Sequence, residues 1–223
     1  MSYSISLKIQ PETHQRFINL HQRLNTGDAS NLAKPLGENL ADIACEIIDQ
    51  VFGNIAKMSK SGDRESEKII QHILETTRKY MPWSVSFFGN ERLLPMVNYL
   101  HDLTIEKDGH FYVTYPIDHT LANALLGHVE KMKDGNNAYV PPALKAFTEV
   151  VDQGVTHLIR EPKRMLKFNV VVDKTLNGVI NVTTQLGYKR FDKLGQIYDA
   201  NSMSGYFDHF LIFLNNEQKQ KND

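Results

Sequence analysis

Between Leu36 and Met58 the apolar side chains Leu36, Leu40, Ile43, Ile47, Val51, Ile55 and Met58 recur every three or four positions. At 100° per residue this spacing stacks them on one helix face, and such a face has to be buried against other parts of the chain. Glu38, Asp42, Glu46, Asp49 and Lys57 fall opposite. One acidic stripe offers too few converging oxygens to chelate a hard cation, so it reads as a solvated face. A long one-sided helix of this kind commits the chain to a packed helical layer.

The same periodicity predicts further helices over 11–24, 64–81, 91–103, 118–133 and 142–160. Asp63 or Ser61 is placed to cap the helix at Arg64, Pro82-Trp83 to end it, and Pro95 to sit in the first turn of the next. His110 to Tyr115 has the aromatic and β-branched content of a short strand, stopped by Pro116. After Pro162 the character changes. Lys167 to Asp173 (KFNVVVD) and Gly178 to Thr184 (GVINVTT) read as a hairpin joined by Lys174-Thr175-Leu176-Asn177, and Tyr206 to Leu214 as a third strand, either core or dimer edge. The expectation is therefore α+β: a helical first three-quarters of about five to six helices, packed on a small antiparallel C-terminal sheet. It forms a single domain over 1–214, mainly helical over 11–165 and mainly β over 166–214, followed by a polar, flexible tail over 215–223.

Composition narrows the function classes. Of the 223 residues 41% are hydrophobic and 23% charged, and the formal net charge of -1 predicts no global attraction to nucleic acid or to an anionic membrane. The single cysteine, Cys45, leaves no disulfide framework or multi-cysteine zinc site and fits a reducing cytoplasm. No apolar run is long enough to span a bilayer. Neither a GxxxxGK[ST] loop nor a GxGxxG turn is present, which argues against nucleotide binding on a doubly wound sheet.

Candidate chemistry centres on His72, the pair His101-Asp102 and Asp152, all on expected helices. A histidine, a His-Asp pair and a distant aspartate resemble the ligand set of the HD-domain metal-dependent phosphohydrolases. That resemblance implies one or two divalent metals held by these four side chains, generating hydroxide and polarising a phosphoryl oxygen. Arg160 and Arg164, ahead of the expected β region, together with Ser202-Met203-Ser204-Gly205, resemble the two halves of the PilZ cyclic-dinucleotide motif, which implies guanidinium groups gripping phosphate. Cys45 lies among Asp42, Glu46 and Asp49, whose charge disfavours a thiolate nucleophile. Asp118-His119 reads as a helix start, and Asp208-His209 as a pair split across a strand. With a well-patterned core and no convergent catalytic set, the reading is a non-catalytic regulatory or protein-binding factor, without cofactor, whose partner is another protein. The alternatives are an HD-like phosphohydrolase with a divalent metal and a cyclic-dinucleotide or phosphate sensor.

Overall fold

The structure is a computed structural model that describes residues 2–53 and 63–216. The strands β1 (Tyr3–Ile9), β2 (Thr104–Lys107), β3 (His110–Ile117) and β4 (Leu214–Asn216) form one antiparallel sheet in the order β2-β3-β1-β4. The helices are α1 (Pro11–Asn25), α2 (Ala33–Phe52), α3 (Arg64–Val85), α4 (Asn90–Asp102), α5 (His119–Lys133), α6 (Val140–Val155), α7 (Glu161–Leu166), α8 (Val170–Ile197) and α9 (Ala200–Leu211). A π turn over Thr156–Arg160 keeps the backbone helical between α6 and α7. Counting 140–166 once, the described residues hold eight helices, more than the five or six expected. Ile55, Lys57, Met58 and Ser61 lie outside the described residues.

The sheet is not where the sequence reading puts it. Its two inner strands are β3 and β1, and in β1 Tyr3, Ile5, Leu7 and Ile9 are buried at period two, in register with β3 from Tyr3 opposite Ile117 to Ile9 opposite Phe111. β3 confirms the strand at His110 but runs on through Pro116, an exposed position, to Ile117.

The expected C-terminal sheet is helix. KFNVVVD and GVINVTT both fall largely in α8, with the supposed hairpin connection in mid-helix, and most of Tyr206 to Leu214 belongs to α9. Strand propensity reports fit to a half-buried pleated surface, and tertiary context overrides it. Here Val172, Leu176, Phe191 and Leu194 keep a helical stripe, and the Asn169 side chain starts the helix by accepting from the Val171 and Val172 N–H groups at 3.1 and 3.0 Å. In α9 the buried Met203, Tyr206, Phe207 and Phe210 likewise follow helical spacing, behind an Asp199 cap. Asn215 and Asn216, assigned to the polar tail, pair with β1.

Other expectations hold. Asp63 caps α3 by accepting from the Ser66 N–H, and Asp118 caps α5 by accepting from that of Leu121. The acidic face of α2 does more than meet water: Glu46 accepts from the Gln10 N–H and the Thr13 hydroxyl, and Asp42 pairs with Arg16 at 2.8 Å, tying α2 to α1. Pro82 does not end α3, which continues to Val85. The lost N–H costs one helical bond, but the proline lies in a close crossing with α2 where Gly37 leaves it room.

Two apolar clusters build the core. One joins the buried face of the sheet to α5, α6 and α9 around Phe147, whose ring meets Phe191, Tyr206 and Phe210 edge-on at 5.0, 5.4 and 4.6 Å between centroids. The other joins α1, α4 and the first half of α2 to the end of α3 and Leu166.

Candidate functional site

The helices α3 and α8 carry apolar faces that the other described residues only half cover. On α3, Ile69, Ile70, Ile73, Leu74, Thr77 and Met81 read as a buried stripe, yet each is only half-buried. Ile43, Ile47 and Ile48 of α2, Leu158 and Ile159 of the π turn, and Val179, Ile180 and Tyr188 of α8 are half-buried too. These residues of α2, the π turn and α8, together with Ile73, Thr77 and Met81 of α3, face a shared half-enclosed cavity of about 300 Å³, closed on one side by Leu7, Val113 and Tyr115 of the sheet. Fully burying one such side chain contributes about 1.5–3 kcal/mol, so a structure that leaves this many half-covered holds hydrophobic free energy in reserve.

Part of the polarity of the lining is satisfied within the chain. The hydroxyls of Thr77, Ser84, Thr104 and Thr184 donate to the backbone carbonyls of Ile73, Met81, Leu100 and Ile180 in their own or an adjoining helix, leaving carbon toward the cavity. Burial pushes the Tyr115 hydroxyl far above its ordinary pKa, and Gly154 leaves space for that hydroxyl where a Cβ would stand 2.7 Å away. Tyr188 is also raised, by burial and then by donating to Asp152 Oδ1 at 2.7 Å. Roughly 150 Å³ of such apolar space already stays dry and takes up an aromatic guest. Apolar clefts of about 300–1,000 Å³ are the usual form of small-molecule sites.

Charged groups frame the cavity. Among the described residues lining it, Lys163 is the only one with a formal charge. Its side chain is 12% exposed, and its ammonium pairs with Asp173, a residue of the first turn of α8 whose side chain is 40% exposed. Near the other end of α8, Arg190 straps that helix to the start of α3, binding Asp63, the Glu65 carboxylate at 2.7 Å and the Ser66 hydroxyl at 2.8 Å. Burial pushes Asp63 up, but Arg190 and Ser66 outweigh it and hold the carboxyl below its usual range. A buried pair of this kind fixes geometry more than it adds net stability.

The structure does not gather His72, His101, Asp102 and Asp152 into one ligand set. His72 is exposed on α3. His101, at the end of α4, stacks on His21 with centroids 4.0 Å apart, and its neighbour Asp102 is 82% exposed. Asp152 Oδ1 is bound by Arg160 at 2.8 Å and by Tyr188, and these partners, Arg160 first, keep its pKa low against the opposing effect of burial. Among the described residues no three His, Cys, Asp or Glu side chains are arranged to hold a metal ion. Arg160 is thereby engaged, Arg164 pairs with Glu161, and Ser202 to Gly205 lie inside α9, so the two PilZ-like halves do not form one anion site. Asp208 pairs with Lys133, and His209 Nε2 lies 3.0 Å from the Gln50 carbonyl oxygen, both from a helix rather than a strand. Cys45 is buried with its Sγ 3.9 Å from the Leu74 carbonyl oxygen, and burial raises its pKa.

Sequence reasoning passed over Lys163 and the cavity face of α8. The signal was present: Leu176, Val179, Ile180, Thr183, Thr184, Gly187 and Tyr188 fit a period near 3.6, obscured by their β-branched content. Comparison with protein-family models, with curated proteins and with solved structures gives no match.

Proposed function

We propose that the chain is a non-catalytic binding factor that takes an apolar small molecule into the cavity between α2, α3, α8 and the sheet. One observation carries this reading: apolar faces on three helices converge without touching enough of the chain to be buried. Filling the space would recover the missing burial, and a lining made mostly of hydrocarbon side chains makes it a poor site for strongly polar substrates. Among the described lining residues no acid, base and nucleophile converge, which favours binding over turnover. A cytoplasmic setting belongs to the same proposal, resting on the single thiol.

A protein partner is the second reading, favoured by Met165, Val170 and Val171, which are 36%, 69% and 75% exposed around the link from α7 to α8.

Fluorescence titration with the neutral probe N-phenyl-1-naphthylamine tests the cavity. The expected outcome is a saturable, blue-shifted emission at one probe per chain, with a Kd on the order of 10 μM. A linear, unsaturable response would reject the reading.

A further inference from the structure

We propose that the occupant of the cavity is a long-chain carboxylate, its head held by Lys163 and its tail lying along α8 between α2 and α3. This rests on the preceding reading of the cavity as a ligand site and names its ligand class.

The argument begins with charge. Lys163 is the only formally charged side chain among the described lining residues, and it stands beside Leu166 and Phe168, at the end of the cavity where α8 begins. An ammonium at the edge of an apolar space is costly unless an anion accompanies it. Asp173 fills that role here, but unequally: Lys163 is 12% exposed and Asp173 is 40% exposed. Asp173 also accepts from the Asn177 amide at 2.8 Å and is not part of the lining. The aspartate can therefore turn to water while the ammonium stays, and an incoming carboxylate takes its place, so that the pair at Lys163 stays neutral and the displaced Asp173 carboxylate is solvated.

The head group follows from the cation. A single lysine is a compact point charge that balances one negative charge, as a carboxylate carries, whereas a phosphate monoester carries nearly two and calls for a second cation. The two nearest arginines in sequence, Arg160 and Arg164, are tied to Asp152 and Glu161. The tail follows from shape. Leu176, Val179, Ile180, Thr183, Gly187 and Phe191 line the cavity along α8, a track of roughly 22 Å at 1.5 Å per residue. That is long and narrow for the volume, as an acyl chain requires. Met165, Val170 and Val171 place exposed apolar surface next to the head-group end, where an amphiphile would first make contact.

The test uses the full chain, stripped of bound lipid, with N-phenyl-1-naphthylamine displaced by palmitate, hexadecanol or hexadecyl phosphate. Palmitate is expected to displace the probe at concentrations about tenfold lower than hexadecanol. Lys163→Gln is expected to lose that preference, with each ligand's displacement scored against the variant's own probe affinity. Asp173→Asn, which frees the ammonium, is expected to tighten palmitate several-fold, whereas a pair needed only for structure would make both variants weaker. Equal displacement by acid and alcohol, a preference that survives Lys163→Gln, weaker palmitate binding in Asp173→Asn, or stronger displacement by hexadecyl phosphate would each overturn the assignment. Should Lys163→Gln not fold, the wild-type and Asp173→Asn arms still decide it. Probe binding without head-group preference rejects this inference alone, while absence of probe binding rejects the cavity reading beneath it.

Discussion

His14 stacks on Phe111 with centroids 3.7 Å apart and an interplanar angle of 12°, and it is 7% exposed with no hydrogen-bond partner for Nδ1 among the described residues. Burial lowers its pKa, with Glu106 opposing and His101 adding to the effect. His21 is lowered in the same direction, by burial and by the charge of the His101 it stacks on. A base with a depressed pKa in the folded state is neutral there while the unfolded chain takes up the proton. Stability is thus full above the ordinary value of 6.5 and falls as pH drops from there through the folded-state pKa. Replacing His14 by phenylalanine removes the orphaned nitrogen and keeps the stack. His14→Phe is expected to gain about 1 kcal/mol in urea unfolding at pH 7 and more at pH 5, with a flatter stability profile between them. A variant that is less stable at both pH values would show that the imidazole makes a polar contact of its own.

At the level of elements, the crossing of α2 and α3 depends on Gly37, where an added Cβ would stand 2.5 Å from both Pro82 Cα and Val85 Cγ2. Alanine normally favours a helix over glycine by about 1 kcal/mol, but a clash with backbone at this distance forces the helices apart. Gly37→Ala is accordingly expected to destabilise the protein by about 1–3 kcal/mol by chemical denaturation, and stabilisation would show the crossing to be slack. The crossing also shows what could be read from sequence. The one-sided pattern of α2 was legible because its polar face is unambiguous, and the caps Asp63 and Asp118 because their chemistry is local. α8 was not, since its valines, isoleucines and threonines suit strand and helix alike, and the choice is made by partners remote in sequence, such as the Asp63 and Ser66 that hold Arg190. β1 was missed for a different reason: a short alternating YSISLKI is weak until β3 and β4 stand on either side of it.

For the molecule as a whole, the cavity trades folding free energy for capacity. Gly187 lines it from α8, and a Cβ there would approach nothing nearer than Ile73 Cδ1 at 4.0 Å. Gly187→Leu should therefore enter the space without strain, gaining about 1 kcal/mol of helix propensity together with new burial. The expected outcome is a higher Tm with N-phenyl-1-naphthylamine binding reduced at least several-fold. A stabilised variant that still binds the probe fully would place the probe elsewhere. Little of this site was legible beforehand, because a cavity is a relation between faces of different helices and leaves no local motif; Lys163, read alone, is one of many surface lysines until Asp173 and the apolar lining surround it. The sheet has its own consequence at this scale. Tyr3 of the inner strand β1 finds one neighbour in Ile117 and the other in Asn216, so β1 is made before, and waits for, partners far further along the chain. Such distant sewing slows closure and leaves the ribbon's bare amides and carbonyls exposed meanwhile, a stretch of vulnerability to wrong pairing that ends only when the last stitch is drawn.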